Sequence, residues 1–380
     1  MLARSTGPTR AGCGLAAGRL REDTRPVELD PHFWTRQRVL ITGHTGFKGA
    51  WLSLWLQALG ANVIGLARGV PRSLSLYELA SVSEHMDELS ADVRDATAVL
   101  EAVRQARPHI VLHLAAQPVV RRSLRDPVTT YDVNVMGTVN VLDAVRQAGS
   151  EVQAVVVVTS DKCYENPRHS AQRFVEEDPL GGSDPYSSSK ACAELIVSAY
   201  RRSFFYEPSS PQLATARAGN VLGGGDWGED RLVPDAVRAV DASQPLKLRN
   251  PRAVRPWQHV LSPLSGYLLL AQALSQWPDR RAARAWNFGP SADDAQPVSW
   301  IVQRLAALWD GQLAWQPDHS ANPHEASHLA LDSSAAEQQL GWRPACGLDE
   351  ALQLVVEWHR ALHDGEDMRD VSLGQIARVG

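Results

Sequence analysis

Two side chains capable of acid–base chemistry, Tyr186 and Lys190, lie four residues apart, directly after the dipeptide Asp184-Pro185. Asp184 is a favourable helix N-cap and Pro185 suits the first turn, so the segment is predicted to form a helix with both side chains on one face. Tyrosine, with a reference pKa of about 10, is a poor base at neutral pH, and a neighbouring lysine ammonium favours the phenolate. The pair is therefore a candidate general base; the alternative is a plain surface contact on a helix.

A second polar group follows a run of apolar residues. Residues 152–159 are predicted to form a buried strand, because positions 155–158 are all valine. Thr159 ends this run, and Ser160, Asp161 and Lys162 follow directly. Ligands of open α/β sheets bind at the carboxyl ends of the strands, so we expect catalytic residues here, with a solvated loop as the alternative.

A glycine-rich turn near the beginning of the chain indicates a phosphate site. The apolar residues 39–41 predict a strand, and the apolar residues between Trp51 and Leu59 predict a helix. Gly43, Gly46 and Gly49 lie between them in the spacing G-x-x-G-x-x-G, which differs from the commoner dinucleotide pattern G-x-G-x-x-G. A strand, a glycine turn and a helix N-terminus together predict a nucleotide-cofactor site.

The remaining elements that must position these groups alternate between strands and helices. Further strands are predicted at 62–66, 109–114 and 213–217, residues 89–93 are predicted to be the end of another strand, and helices are predicted at 96–106, 127–147, 334–340 and 348–362. This alternation predicts an α/β fold, a Rossmann-like doubly wound parallel sheet with a smaller C-terminal substrate-binding region. We expect residues 1–31 to be a disordered extension, 32–220 the NAD(P)-binding Rossmann domain to which later segments return, 221–363 mainly the substrate-binding region and 364–380 a tail.

The identity of the cofactor stays open at the residue level. NAD-binding Rossmann units carry an acidic residue near the end of the second strand, where this chain has Ala67 and Arg68. Arg68 can receive a 2′-phosphate or be a solvated loop residue, so NADP is left open beside NAD. Asp92 is a candidate contact for the adenine edge or a capping residue, and Ala115 and Ala116 are small enough for a cofactor to lie against them.

The second half carries candidate substrate ligands. Residues 218–227 are rich in glycine, which suggests a loop that closes on a second ligand. Beyond them come Arg231, Arg249 and Arg255, followed by Trp257 and His259. Arginines near an aromatic ring suit a nucleotide diphosphate, and a polar surface is the alternative.

Composition excludes several classes of partner. The formal net charge of −5 gives no electrostatic attraction for nucleic acid or an anionic membrane. No apolar run approaches the ~18 residues of a membrane span. The cysteines are scattered without a C-x-x-C pair, so we expect neither disulfides nor structural zinc, and a cytoplasmic location; they are Cys13, Cys163, Cys192 and Cys346.

One short motif is predicted not to function. The segment His324-Glu325-Ala326-Ser327-His328 matches the zinc-protease pattern H-E-x-x-H, which binds zinc only on a helix. Pro323 precedes it and residues 329–332 alternate like a strand. No metal site is therefore expected.

Longer strings identify a family resemblance. The strings are GHTGFKGAWLSLWL (43–56), TSDKCY (159–164), DPYSSSK (184–190), RAGNVLGGGDW (217–227) and RPWQHV (255–260). From about Phe33 to the C-terminal region the chain resembles the extended short-chain dehydrogenase/reductase family. The Asp161-Lys162 pair is similar to that of the branch acting on CDP-glucose, since much of the wider sugar-nucleotide dehydratase group has Asp-Glu there.

The resemblance implies a reaction and a set of roles. It implies NAD-dependent conversion of CDP-glucose to CDP-4-keto-6-deoxyglucose, a lyase reaction in deoxysugar and O-antigen biosynthesis. Tyr186, held by Lys190 and by a Thr159 or Ser160 hydroxyl, removes the 4-hydroxyl proton. Lys162 removes the C5 proton and Asp161 protonates the departing 6-hydroxyl.

The resemblance also implies binding residues. The cofactor is expected against Gly43, His44, Gly46, Phe47, Lys48, Gly49, Arg68, Asp92, Ala115, Ala116, Asn134, Tyr186 and Lys190. The nucleotide sugar is expected against Asn220, Arg231, Arg249, Arg255, Trp257 and His259. Apolar faces at 127–147 and 185–205 suggest a homodimer or a dimer of dimers.

Two other functions stay open. An inverting 4,6-dehydratase or an epimerase acting on a UDP- or GDP-linked sugar would use a similar site. A cofactor-sensing or structural protein would keep the fold without turnover, but it would need neither the Tyr186/Lys190 pair nor the Asp161/Lys162 pair.

Overall fold

Runs of branched apolar residues form the strands of one parallel sheet. The coordinates are a computed structural model and describe residues 28–70, 74–149, 151–166, 173–318 and 329–380. Within these ranges the strands are β1 (Arg38–Thr42), β2 (Asn62–Ala67), β3 (Asp87–Ser90), β4 (Ile110–His113), β5 (Ala154–Val158), β6 (Arg173–Phe174), β7 (Gln212–Ala218), β8 (Val221–Leu222), β9 (Leu246–Leu248), β10 (Val254–Pro256), β11 (Gln258–His259), β12 (Ala285–Phe288), β13 (Ala295–Pro297), β14 (Trp315–Pro317) and β15 (Ala330–Leu331).

The main sheet has seven strands in the order β12-β7-β5-β4-β1-β2-β3, and every pair in it is parallel. The strand order reverses between β1 and β4, which opens a crevice at the carboxyl ends of these strands. All five residues of β5 are buried, as a parallel strand covered on both faces requires. The predicted fold class, a Rossmann-like doubly wound parallel sheet, is confirmed.

Helices cover both faces of the sheet. They are α1 (Pro31–Trp34), α2 (Phe47–Ala58), α3 (Leu76–Leu79), α4 (Ala96–Ala106), α5 (Val120–Arg125), α6 (Pro127–Tyr131), α7 (Gly137–Ala148), α8 (Pro185–Ser203), α9 (Leu232–Asp241), α10 (Leu261–Gln276), α11 (Val298–Leu308), α12 (Leu348–His363) and α13 (Met368–Val379). One core cluster joins the sheet to α2, α10 and α13, and another joins its opposite face to α4, α7 and α8. A third, formed by α9, α11, α12 and β9, is the core of the smaller C-terminal region.

Several predicted boundaries need correction. The third strand is Asp87–Ser90, so it ends before the predicted range 89–93 does and leaves Asp92 in the following loop. The helix predicted at 127–147 is divided by a π-helical turn at Asp132–Met136. Such turns occur where one extra residue is accommodated within a helix, often beside functional sites.

The two ends of the described chain are more ordered than expected. Residues 364–380 are not a tail, because α13 packs against α2 and buries Met368 and Ile376. Helix α1 begins at Pro31, and the Asp30 backbone N–H donates to the Gln272 side chain, so residues 28–31 also belong to the fold. Residues 1–27 and the H-E-x-x-H segment lie outside the described residues.

No helix in the described ranges is long and apolar enough to cross a bilayer.

Candidate functional site

A cavity of about 1820 Å³ lies at the carboxyl ends of the central strands. Its walls come from both halves of the chain: the glycine turn after β1 and the segments after β2, β4, β5 and β7 on one side, and the arginine-bearing segments of 226–255 on the other. The reversal of strand order places this opening where doubly wound sheets bind their ligands.

The glycine turn leaves room that a side chain would fill. Gly43 has φ +77°, and a Cβ there would stand 2.9 Å from the backbone of Ala115. A Cβ on Gly49 would stand 2.2 Å from the Gly43 carbonyl oxygen. Gly46 is the N-cap of α2, and the first-turn N–H groups of a helix have no intrahelical partner. The cradle therefore fits the diphosphate of a dinucleotide.

Most expected cofactor contacts line this cavity, namely Gly43, Gly46, Phe47, Lys48, Gly49, Arg68, Asp92, Ala115, Ala116, Tyr186 and Lys190. Asp92 is engaged with two arginines, Arg94 at 2.8 Å and Arg68 at 3.9 Å. The hydrogen bond from Arg94 holds the pKa of Asp92 below its ordinary value, with Arg68 adding to the effect. An arginine-bound carboxylate thus lies on the cavity wall in the loop that follows β3.

His44 does not line the cavity, contrary to the expectation of a cofactor contact. Its side chain is buried, and its Nε2 lies 2.6 Å from the Glu88 carboxylate. A Cβ on Gly65 would stand 2.5 Å from the imidazole, so the ring packs directly against β2. His44 therefore supports the glycine turn from behind.

Asn134 is likewise a bracing residue. It lies in the π-helical turn, buried, and its side chain bonds the backbone N–H and carbonyl of Gln117 at 2.8 and 3.1 Å. Its Nδ2 also donates to Ser189 Oγ on α8 at 2.9 Å. Gln117 lines the cavity and Asn134 does not, so Asn134 ties the loop after β4 to α8.

The predicted acid–base groups converge on one end of the cavity. The Asp184 side chain accepts from Ser187 N and begins α8, which confirms the predicted cap. Asp161 and Lys162 occupy a 3₁₀ turn directly after β5, with Lys162 Nζ 3.4 Å from Asp161 Oδ1. Asp161, Lys162, Tyr186 and Lys190 all line the cavity.

One carboxylate oxygen of Asp161 is buried and has no hydrogen-bond partner among the described residues. Its side chain is fully buried, and Oδ1 accepts from Ser160 Oγ at 3.0 Å. Oδ2 is also buried, and no hydrogen-bond partner for it exists among the described residues. Buried carboxylate oxygens normally have a partner, so Oδ2 is placed to meet a hydroxyl of a bound molecule.

Burial and neighbouring charged groups shift the pKa values of Tyr186 and Lys190. Burial raises the pKa of Tyr186, while Lys162 and hydrogen bonding with Ser160 oppose that rise. The expectation of a lowered phenol pKa is therefore wrong for this arrangement, because desolvation outweighs the neighbouring ammonium. Burial lowers the pKa of Lys190 to about 8, although Glu194 opposes it.

Lys162 shows the opposite balance from Lys190. Burial lowers its pKa, but the Asp161 carboxylate and Tyr186 raise it more, so the pKa of Lys162 lies above its ordinary value.

Burial, with Arg231 next in importance, lowers the pKa of Lys48 to about 7. Lys48 Nζ donates to the hydroxyl of Tyr267, a fully buried residue that sequence reasoning missed.

Thr159 is held by a buried network rather than by Tyr186. Its hydroxyl donates to Glu194, which also receives Thr215 Oγ1 and Arg217 Nη2, each at 2.8 Å. Of the two hydroxyls expected to hold Tyr186, that of Thr159 is engaged by Glu194, and that of Ser160 opposes the rise in the pKa of Tyr186. Glu194 follows Lys190 by four residues on α8, a spacing that could have drawn attention to it.

The second wall carries most of the expected substrate ligands. Asn220, Arg231, Arg249, Arg255 and Trp257 line the cavity. Asn220 Oδ1 lies 3.5 Å from Lys162 Nζ, which joins this wall to the catalytic group. The Trp257 indole N–H donates to the Gln296 carbonyl at 3.0 Å, so only its ring remains for a ligand.

The expectation that His259 contacts the substrate is wrong. It is fully buried, does not line the cavity and lies edge-on to Trp51, with the two ring centres 6.2 Å apart. Burial lowers its pKa to about 3. His259 is therefore part of the packing beneath the site and makes no direct substrate contact.

The chain is similar in sequence to known nucleotide-sugar 4,6-dehydratases. A family model described as "GDP-mannose 4,6 dehydratase" matches residues 40–282. The chain is 48% identical over 353 residues to a CDP-glucose 4,6-dehydratase of Salmonella typhimurium, an alignment that covers 92% of this chain and 98% of that protein.

Solved structures share the architecture. A UDP-glucose 4-epimerase of Thermus thermophilus in complex with NAD superposes with a TM-score of 0.71 at 27% identity, covering 85% of this chain and 98% of that one. A dTDP-glucose 4,6-dehydratase of Streptomyces venezuelae with NAD bound also gives 0.71, at 25% identity, covering 87% of this chain and 99% of that one.

Proposed function

The chain belongs to the family described as GDP-mannose 4,6 dehydratase, within the extended short-chain dehydrogenases/reductases, and we propose that it is a CDP-glucose 4,6-dehydratase. The reaction converts CDP-D-glucose to CDP-4-keto-6-deoxy-D-glucose with loss of water. The nearly full-length match to a relative of that name supports this substrate over the dTDP-, GDP- and UDP-linked sugars.

One observation carries the reaction type. A carboxylate with an unpartnered buried oxygen, a lysine ammonium and a tyrosine meet in one cavity beside a dinucleotide cradle. Oxidation at C4 alone, as in an epimerase, requires a base such as Tyr186 but no second acid–base pair. Asp161 and Lys162 supply the additional acid and base that elimination of water across C5 and C6 requires.

The glycine cradle, Arg68, Asp92, Ala115 and Ala116 would hold NAD, the cofactor in the two solved relatives described above. Bound NAD supplies a hydride acceptor at C4 of the sugar and the hydride that is later returned to C6. The chain's own residues manage the protons. Tyr186 accepts the 4-hydroxyl proton, and Lys190, whose Nζ donates to the Val158 carbonyl at 3.1 Å, supplies positive charge at the end of β5.

Asp161 acts as the acid and Lys162 as the base once one proton has moved from Lys162 to Asp161. Lys162 can remove the C5 proton only when neutral, yet the Asp161 carboxylate keeps its pKa high. Moving one proton from Nζ to the carboxylate removes that obstacle, and desolvation by a bound sugar favours the uncharged pair. Neutral Lys162 then removes the C5 proton while protonated Asp161 gives its proton to the departing 6-hydroxyl, which leaves as water.

The assignment is tested by an assay over a panel of sugar nucleotides. Purified protein with NAD is incubated with CDP-, dTDP-, GDP- or UDP-linked glucose or mannose, and the 4-keto product is read by its absorbance in base. We expect product from CDP-glucose. Product from a UDP- or GDP-linked sugar instead, with its C5 configuration read by NMR, would support the inverting alternative, and no product from any would reject a dehydratase.

We also propose that the protein works as a homodimer or a dimer of dimers. Apolar side chains are exposed on α6, the π-helical turn and α8: Val128 is 77% exposed, Met136 47% and Leu195 60%. Pairing of these helices between two copies would cover them.

The free thiols of Cys163, Cys192 and Cys346 are consistent with a cytoplasmic location. A 4-keto-6-deoxy product suits deoxysugar and O-antigen synthesis.

A further inference from the structure

One carboxylate on the rim of the cavity is shared by arginines from opposite walls. Arg121, on α5, lies with Nη1 3.5 Å from Asp230 Oδ1, and Arg249, directly after β9, lies with Nη1 3.1 Å from the same oxygen. All three residues line the cavity. Sequence reasoning missed Arg121, because nothing in the chain order relates residue 121 to residues 230 and 249.

A nearby aspartate, Asp226, differs from Asp230 in being buried and bound by several partners. The Asp226 side chain is 5% exposed, contacts Arg231 Nη1 through both oxygens at 2.9 and 2.8 Å, and accepts from Gly228 N. The Asp230 side chain is 28% exposed, and its backbone is left-handed, with φ +59°. The Asp230 carboxylate is therefore accessible to solvent and to a ligand, whereas the Asp226 carboxylate is not.

The chemistry of this arrangement matches that of a diphosphate. Guanidinium groups bind carboxylate and phosphate oxygens with the same fork of donors, and two arginines facing each other suit an anion with two adjacent charged groups. We propose that Asp230 is an internal anion occupying the diphosphate position between Arg121 and Arg249, and that the substrate's diphosphate displaces it. This inference rests on the proposed function, because it takes the ligand to be a nucleoside diphosphate sugar.

The proposal fixes the sign of an effect. If Asp230 only orients the arginines, removing its charge weakens binding of the anion. If Asp230 competes with the anion, removing its charge strengthens binding. Partly exposed ion pairs contribute little each, so losing two of them corresponds to a change in affinity of about three- to tenfold.

The test compares Asp230→Asn with wild type by titration calorimetry of the full chain. Asparagine has nearly the same volume and tolerates left-handed backbone, so the loop can keep its conformation. We expect CDP to bind about three- to tenfold more tightly to Asp230→Asn and more weakly to Arg121→Met and Arg249→Met. Cytidine, which has no phosphate, should bind all four proteins equally.

A matched control separates displacement from a general field effect. Glu229→Gln removes the same charge one residue away, and we expect it to change CDP affinity less than twofold. Equal tightening by Glu229→Gln and Asp230→Asn would overturn the proposal, as would an Asp230→Asn variant that binds none of the nucleoside diphosphates CDP, UDP, GDP and dTDP more tightly than wild type does.

UDP, GDP and dTDP are titrated in the same series. If Asp230→Asn binds one of these more tightly than wild type does, but not CDP, the proposal that the diphosphate displaces Asp230 is supported and the assignment of CDP-glucose as substrate is rejected. Folded variants that bind no nucleoside diphosphate would reject both.

Discussion

Charged pairs behind the sheet edge and charged pairs on the rim of the cavity are held in different ways. Behind the sheet edge, the Glu194–Arg217 pair is buried, with each side chain only 3% exposed. On the rim, Arg249 and Asp230 are 22% and 28% exposed. A buried pair cannot separate without leaving an uncompensated charge, whereas water or a ligand can replace either partner of an exposed pair.

This difference matches the tasks of the two walls. The sheet edge must hold Thr159, Asp161 and Lys162 in fixed positions, since proton transfer depends on distance. The rim must exchange its partners when a charged substrate enters and leaves. Changes at the sheet edge are therefore expected to have large effects on stability or turnover, and changes at the rim to alter mainly affinity.

The largest effect is expected for Lys162→Ala. Removing the proposed C5 base should lower turnover by about 10²–10⁴-fold. C4 oxidation should continue, so absorbance of reduced nicotinamide should accumulate while deuterium exchange at C5 stops. The control is Lys247→Ala, which removes an exposed lysine that also lines the cavity and should leave exchange unchanged. Normal exchange in Lys162→Ala would contradict the assignment.

The contrast between buried and exposed pairs is tested directly by Glu194→Gln. Because Arg217 would remain buried without a counter-charge, the free energy of unfolding should fall by about 3–5 kcal/mol. Asp230→Asn, which affects partly exposed pairs, should change it by less than about 1 kcal/mol. Urea denaturation at one pH measures both variants, and equal losses would show that burial does not separate the two walls.

The rigidity of the glycine turn is tested by Gly49→Ala. The added methyl group meets the Gly43 carbonyl and the His44 backbone, which cannot move aside as a side chain could. We expect a loss of stability of about 1–3 kcal/mol and much weaker NAD binding by calorimetry. Gly374→Ala is the matched control on α13, where a Cβ meets nothing within 4 Å; it should stabilise the chain by about 0.5–1 kcal/mol. Unchanged NAD affinity in Gly49→Ala would argue against the cradle.

The most gradual effect concerns the pH dependence of stability. Burial lowers the pKa of Lys48 to about 7, below its value in the unfolded chain, so the unfolded chain binds more protons above that pH. The contribution of Lys48 to unfolding free energy should therefore rise with pH from about 7 to about 10, by up to about 1.4 kcal/mol per pH unit. Lys48→Met should remove this slope, measured by denaturation at pH 7, 8 and 9. Lys190 should add a similar slope above about pH 8.

A slope in Lys48→Met equal to that of wild type would show that Lys48 is not desolvated in the folded protein.

The sequence by itself determined the features that depend on local spacing. Period and composition predicted the central strands, the Asp184 cap and the face shared by Tyr186 and Lys190, because neighbours along a helix or strand are neighbours in space. The glycine spacing and the polar residues after β5 predicted one ligand site, since carboxyl ends of parallel strands share one edge. Family strings added the reaction and the nucleotide sugar.

Only the tertiary structure decided which groups meet across long separations and how deeply each is buried. It brought Arg121 to Asp230, joined Thr159 to Glu194, and removed His44 and His259 from the cavity walls. It also set the direction of the Tyr186 and Lys162 pKa shifts, because desolvation depends on every atom packed around a charge. Spacing along the chain carries no information about that packing.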